Sequence, residues 1–185
     1  MKSEHDIFLE ILGILNKLKV PYMIGGSIAS IAYGEPRLTL DMDVVVDLEP
    51  KQAKQLAGSL GPEYYVSLAS IKKAIVNRGH FNIIQSEAGI KVDFYVLVDD
   101  EMGRLQFSRK RINAFDENNK AFFASPEDVI LKKLEWHKMG QSQKHLDDIK
   151  GILRISGAKL DFKYIDEWSV KLGVRGIWQE LKEDV

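Results

Sequence analysis

From residue 41 to residue 48 the chain reads Asp-Met-Asp-Val-Val-Val-Asp-Leu, and this segment restricts the fold more than any other. A run of β-branched residues fits a pleated strand, and side chains on a strand alternate between its two faces. Met42, Val44 and Val46 therefore share one face and belong to a core. Asp41 and Asp43 share the other, about 6.6 Å apart along the strand. The segment needs a sheet covered on one side and open to charge on the other. Asp47 falls on the charged face as well, but at the strand end, and reads as structural.

The residues just upstream add a second device. Tyr22-Met23-Ile24 reads as a short strand opened by Pro21, and Gly25-Gly26-Ser27 turns it into a short helix over Ile28 to Tyr33. Glycines let a backbone approach an anion closely and take positive φ. A serine at a helix start offers its hydroxyl and the first free N–H groups to phosphate oxygens. Gly-Gly-Ser is also an ordinary tight turn with a cap, so it gains weight only from the carboxylates that follow it.

A third aspartate repeats the anomaly. Asp93 interrupts the apolar strand Ile90 to Val98, sharing its face with Lys91 and Tyr95 while Val92, Phe94 and Val96 point the other way. Aspartate is depleted in strands. If the two strands are neighbours, three carboxylates meet at one position of the sheet. Two unit charges ~6 Å apart repel by roughly 3 kcal/mol at an effective dielectric near 20, and by under ~1 kcal/mol in water. A divalent cation reverses the sign of that term. Mg²⁺ prefers oxygen ligands, and two such ions ~3.5–4 Å apart activate an attacking oxygen and stabilise a leaving pyrophosphate. The competing reading is a solvated strand face, which antiparallel sheets often carry. Asp99 and Asp100 read as turn residues and stand as alternatives for the third acid.

The remaining pattern gives the architecture. Ser3 caps an amphipathic helix to Leu18 with an apolar stripe of Ile7, Phe8, Ile11, Leu12, Leu15 and Leu18. Pro50 opens a helix to about Leu60, Ser67 to Asn77 is another, and His80 to Gln85 forms a hairpin with the Asp93 strand. Glu101 to Asn113 is expected to be helical, and Phe115 to Phe123 to hold a turn and a short strand. Beyond Ser125-Pro126 the pattern is helical: Glu127 to Met139, Gln143 to Ile155, Phe162 to Leu172 and a last piece near Trp178. Strands and helices do not alternate regularly, so the expectation is α+β, a small mixed β-sheet flanked by helices with a helical C-terminal part, and not a doubly wound sheet. Residues 1–123 form the core and 124–185 the helical part packed on it as one compact unit.

Composition narrows the function. The 185 residues carry a net charge of −1, with neither half a polycation. Avid binding to long nucleic acid, which needs many phosphate contacts, is disfavoured, whereas a small anionic substrate held with a metal fits. There are no cysteines, hence no disulfide and no thiolate metal site. No apolar stretch spans a bilayer, and Glu4, Asp6 and Glu10 do not suit a leader, so a cytoplasmic protein with no membrane partner is expected. Arg104, Arg109, Lys110 and Arg111 form a basic cluster, either a solvated helix face or a surface for a nucleic acid or protein acceptor. His5, His80, His137 and His145 lack zinc spacing, and Trp136, Trp168 and Trp178 are expected in the core.

Gly25-Gly26-Ser27, a short helix, and then Arg37-x-Thr39-x-Asp41-x-Asp43 resembles the signature of the DNA polymerase β-like nucleotidyltransferase superfamily. The Arg-x-Thr-x-Asp-x-Asp form resembles a small prokaryotic branch related to the AbiEii-type toxins of abortive-infection toxin–antitoxin systems. Ser125-Pro126-Glu127-Asp128, Leu131-x-Lys133-Leu134 and Asp147-Asp148-Ile149 resemble that branch's helical segment. The resemblance implies transfer of a nucleoside monophosphate from a triphosphate such as ATP to an acceptor hydroxyl, with release of pyrophosphate. Gly25, Gly26 and Ser27 would hold the triphosphate, with Arg37, Thr39 and Lys133 near its charge. Asp41, Asp43 and Asp93 would be both catalytic and ligands of two Mg²⁺ (or Mn²⁺) ions, Asp93 activating the acceptor. Asp148 would support the site. Arg37 could equally pair with a local carboxylate, and Lys133, beside Lys132, could be solvent-exposed. The acceptor, RNA, protein or small molecule, is left open, and an antitoxin-type partner is implied for a toxin. Non-catalytic binding of a nucleotide or partner, and phosphohydrolysis at the same metal site, are the alternative functions. Many relatives carry Lys-Asp before the final Asp-Ile; here Lys144 is followed by His145.

Overall fold

The structure, a computed structural model, describes residues 2–39 and 41–183. The first helix, α1 (Glu4–Lys17), starts on a capping box: the Ser3 hydroxyl accepts the Asp6 N–H, and the Asp6 carboxylate accepts the Ser3 N–H. Its stripe of Ile7, Phe8, Ile11, Leu12 and Leu15 is buried, each side chain contributing about 1.5–3 kcal/mol by leaving water.

The strands are β1 (Tyr22–Ile24), β2 (Asp41–Val46), β3 (Tyr64–Tyr65), β4 (His80–Gln85), β5 (Ile90–Val96), β6 (Arg111–Ala114) and β7 (Lys120–Phe123). They form one mixed sheet among the described residues, in the order β3-β4-β5-β2-β1-β7-β6. β2 runs parallel to β5, β1 runs parallel to β7, and the other neighbours are antiparallel. The helices α2 (Gly26–Tyr33), α3 (Pro50–Gly58), α4 (Leu68–Asn77) and α5 (Glu101–Ser108) punctuate the strands; α6 (Pro126–Gly140), α7 (Gln143–Ser156), α8 (Phe162–Lys171) and α9 (Arg175–Glu183) follow them. This is an α+β fold with a mixed sheet. Among the described residues no helix is long and apolar enough to cross a membrane.

One sheet face is a hydrocarbon layer. Met42, Val44 and Val46 of β2, Val92, Phe94 and Val96 of β5 and Phe81 and Ile83 of β4 are buried there. Phe81 and Phe94, opposite in register, stack at 4.8 Å. Helix α1 contacts β5, and α4 contacts both β4 and β5. The other face of β2 meets α2, which is joined in turn by α6 and α7. Helix α7 approaches α2 so closely that a Cβ on Gly34 would stand 2.9 Å from the Gly151 carbonyl carbon. That glycine contact brings the second half of α7 against the end of α2 and Glu35 just after it.

The helix expected over Glu101 to Asn113 ends early. α5 stops at Ser108, and Arg111–Ala114 is an edge strand paired with β7 in the register Arg111↔Phe123 to Ala114↔Lys120. The reversal is closed by Asp116, whose carboxylate accepts the N–H groups of Asn118 and Asn119, and by the Phe115 N–H on the Asn119 carbonyl. Strand pairing overrides the weak helical pattern. Strands β2 and β5 each stop two residues short of expectation, and β3 carries no clear signal in the sequence.

Candidate active site

The pleat puts Asp41 and Asp43 on the face of β2 opposite its valines, and the parallel register decides what meets them. Asp43 lies directly across from Asp93, and Asp41 across from Lys91. With neighbouring strands about 4.8 Å apart, Asp43 and Asp93 are side by side. Burial and then the Asp93 charge push the Asp43 carboxyl above the usual carboxylate range, with Asp41 adding to this and Lys133 and Lys91 opposing it. Tyr95 is on the same face, and burial with the charges of Asp43 and Asp93 pushes its phenol up to about 12. Asp41 is exposed. Asp47 lies beyond β2 and is exposed.

Helix α2 begins against this acid pair. Gly25 takes the N-cap position with no side chain capping the helix, and its N–H donates to the Asp43 carbonyl at 2.9 Å. Gly26 has φ +54°, a conformation that favours glycine. A Cβ there would stand 1.8 Å from Asp43 Oδ2, so the carboxylate occupies the space a side chain would fill.

Ser27, Arg37, Lys133 and Asp148 form a second group beside the first. Arg37 holds Asp148 with both ends of its fork, Nε to Oδ1 at 2.7 Å and Nη2 to Oδ2 at 2.9 Å, and Nη2 also donates to the Ser27 hydroxyl at 2.6 Å. Lys133 Nζ donates to Asp148 Oδ2 at 2.5 Å, and its side chain is only 2 % exposed. Of the two readings of Arg37, pairing with a carboxylate is the one observed. Lys133 is buried and not solvent-exposed; Lys132 beside it is exposed. Burial works to raise the Asp148 pKa, but Arg37 and Lys133 outweigh it and hold the carboxyl below its ordinary value. Burial pulls Lys133 down against the attraction of Asp148. Thr39 stands at the margin, its hydroxyl 3.5 Å from the Asp41 carbonyl.

The other candidates fall elsewhere. Asp100 caps α5 by accepting the Gly103 N–H at 2.7 Å, and Asp99 pairs with Arg104 at 2.5 Å. The basic cluster is not a free patch: Arg109 and Arg111 both pair with Glu127, which is fully buried, and Lys110 sits over the Phe107 ring. After the early end of α5, tertiary pairing draws these arginines onto a buried carboxylate, although the Arg111 side chain stays 45 % exposed. Trp168 and Trp178 are core residues, but Trp136 is half-buried. It lines a cleft of about 480 Å³ that runs from Gly25, Gly26, Asp43 and Lys133 past Tyr95 and His80 to Leu172. His145, the residue that departs from the motif, stacks at a tilt on Trp136 with its ring centroid 5.7 Å away. The residues not assigned from sequence are Lys91, Tyr95, His80 and Trp136. For Lys91 and Tyr95 the signal was present in their i±2 spacing from Asp93.

All three acids offer carboxylate oxygens, the donor that hard divalent ions prefer. They do not close around a common point: Lys91 Nζ holds Asp93 Oδ2 at 2.7 Å, and among the described residues no three His, Cys, Asp or Glu side chains are gathered to hold a metal ion. Mg²⁺ needs no such cage, because it is commonly held by one or two carboxylates together with substrate phosphates. Asp41 and Asp43 beside the Gly26 turn fit that requirement.

No protein-family model matches the chain, and no curated protein matches it significantly in sequence. Solved structures are similar in fold. The solution structure of the antibiotic-resistance factor ANT(2'')-Ia aligns over 98% of this chain and 94% of its own, with a TM-score of 0.61 and 14% identity. The crystal structure of ANT(2'')-Ia with adenylyl-2''-tobramycin gives 0.59 at 14% identity, over 94% and 99% of the two chains. The lincosamide antibiotic adenylyltransferase LnuA, with lincomycin bound, gives 0.54 at 15% identity, over 84% and 98%. The mixed sheet, its flanking helices and these likenesses together place the chain in the nucleotidyltransferase fold.

Proposed function

We propose that this protein is a divalent-metal-dependent nucleotidyltransferase that moves a nucleoside monophosphate from a nucleoside triphosphate to an acceptor hydroxyl and releases pyrophosphate. The observation that carries the reading is the pairing of Asp43 with Asp93 across two parallel strands, with the Asp43 carboxylate lying against Gly26 where α2 begins. Two acids held together at an energetic cost, beside a glycine turn at a helix N-terminus, suit charge that arrives with the substrate.

The residues divide the work as follows. Gly25, Gly26 and Ser27 would receive the triphosphate tail on backbone N–H groups and the Ser27 hydroxyl. Lys133 would oppose its charge from beneath, and Arg37 and Thr39 would border it. Asp148 grips both Arg37 and Lys133 and so keeps two cations in place beside the turn. Asp41 and Asp43 would hold Mg²⁺ or Mn²⁺, which supplies charge neutralisation at the reacting phosphate and the leaving oxygen. Asp93 would take the proton of the acceptor hydroxyl as its oxygen attacks the α-phosphorus. The bond from that phosphorus to the bridging oxygen breaks, and its electron pair leaves with pyrophosphate.

The cleft of about 480 Å³ is the size of a small-ligand site, and its lining of Gly25, Gly26, Asp43 and Lys133 suits the nucleotide; the acceptor is what the test below identifies. A toxin role rests on the motif resemblance alone, and an antitoxin-type partner is not part of this proposal. The test incubates the protein with each α-labelled triphosphate, Mg²⁺ and fractionated cell extract, covering RNA, protein and small molecules. Label transferred to an acceptor and lost in both Asp41→Asn and Asp43→Asn supports the reading. Unchanged transfer by both variants, or nucleotide binding with no transfer from any of the four triphosphates, overturns it.

A further inference from the structure

The acid cluster contains a cation of its own. Lys91 stands on β5 across from Asp41 and two residues before Asp93, on the same face as both. Its ammonium reaches along the strand to Asp93 Oδ2 at 2.7 Å. The Asp93 side chain is 16 % exposed and that of Lys91 39 %, so the contact sits at the mouth of the site and not in open solvent. The arrangement is a quartet: two register pairs, Asp41 with Lys91 and Asp43 with Asp93. Three carboxylates and one ammonium leave two net negative charges, which one divalent ion balances. Without Lys91 there would be three, and the strand bearing Asp93 would call for a second cation.

Resting on the nucleotidyltransferase reading above, we propose that Lys91 stands in for a second metal ion at Asp93, so that the acids of this site take one divalent ion, on Asp41 and Asp43, and Asp93 works metal-free. Lys91 is then a positioning residue. It occupies one Asp93 oxygen, turns the other toward the acceptor hydroxyl and excludes a cation from between Asp93 and Asp43. An ammonium ~4 Å from a divalent ion repels it strongly enough, after solvent screening, to weaken binding there by on the order of 10-fold.

The test counts ions and does not depend on turnover. Full-length protein is titrated with Mn²⁺, free Mn²⁺ being read by electron paramagnetic resonance. The titration is run alone and with a non-hydrolysable α,β-methylene nucleoside triphosphate, whose own Mn²⁺ stoichiometry is measured in parallel and subtracted. Wild type is expected to add one ion per chain. Lys91→Met is expected to add two, or to bind the first about 10-fold more tightly. Lys91→Arg, which keeps the charge, is expected to match wild type. The double variant Lys91→Met/Asp93→Asn should lose the gain, because the carboxylate that Lys91 guards is gone. Two ions on wild type, or the same count and affinity in Lys91→Met, overturns this inference and leaves the nucleotidyltransferase reading standing. Absence of any Mn²⁺ binding to wild type and Lys91→Met, in folded protein, overturns both.

Discussion

Gly26→Ala tests the link between the turn and the acids, and its effect can be worked out from the geometry. At φ +54° an L-residue pays about 1–2 kcal/mol that glycine does not. The new Cβ would also stand 1.8 Å from Asp43 Oδ2, 2.6 Å from Cγ and 2.9 Å from Cβ. Even to reach 3.0 Å, the shortest separation real Cβ atoms show, the carboxylate oxygen must retreat by about 1.2 Å. A displacement near 1 Å at a reacting centre costs on the order of 10²-fold in rate, and loss of ligand orientation costs about 10–100-fold in metal affinity. The backbone term alone lowers the melting temperature by about 2–8 °C in a chain of this size. Gly25→Ala is the control, since its φ is −118° and its Cβ would meet nothing within 4 Å. Calorimetric melting and Mn²⁺ titration of the two variants side by side make the comparison. Gly26→Ala should melt lower and bind Mn²⁺ at least 10-fold more weakly, while Gly25→Ala should keep both. Equal Mn²⁺ affinity in the two variants would refute the reasoning, because it would mean that the Asp43 carboxylate does not need the space beside Gly26.

Two further perturbations address the supports of the site. Asp148→Asn leaves the buried Lys133 and the Arg37 fork facing a neutral amide, and should destabilise the fold by about 3–5 kcal/mol in urea unfolding at pH 7. The Asp148 pKa is held below its ordinary value in the folded state, so its contribution is complete above the unfolded pKa of about 3.9 and is lost as pH falls through the folded one; the gap between wild type and Asp148→Asn should therefore be constant from pH 7 to 5 and narrow below pH 4. Glu127→Gln removes the common partner of Arg109 and Arg111 from a fully buried position, and should cost a similar ~3–5 kcal/mol in the same assay; a loss under ~1 kcal/mol would show that the arginines re-pair with solvent at no penalty.

What the sequence settled was what a few neighbouring residues decide among themselves. The capped start of α1, the proline-opened α3 and α6, the hairpin of β4 and β5, and the common face of Asp41 and Asp43 all follow from periodicity and capping, which act over one or two turns or along one strand. The tertiary structure decided everything that joins distant segments. Asp43 faces Asp93 because β2 pairs with β5 in parallel, and a shift of that register by one residue would bring Val92 or Phe94 to the spot. Lys133 is buried because α7, resting against α2 through Gly34 and Gly151, carries Asp148 beneath it. Arg111 belongs to a strand because β7 offers an edge to pair with, which outweighs a marginal helical pattern. Local free-energy differences are small, so long-range pairing determines them, and it is at those long-range junctions that the chemistry of this chain is assembled.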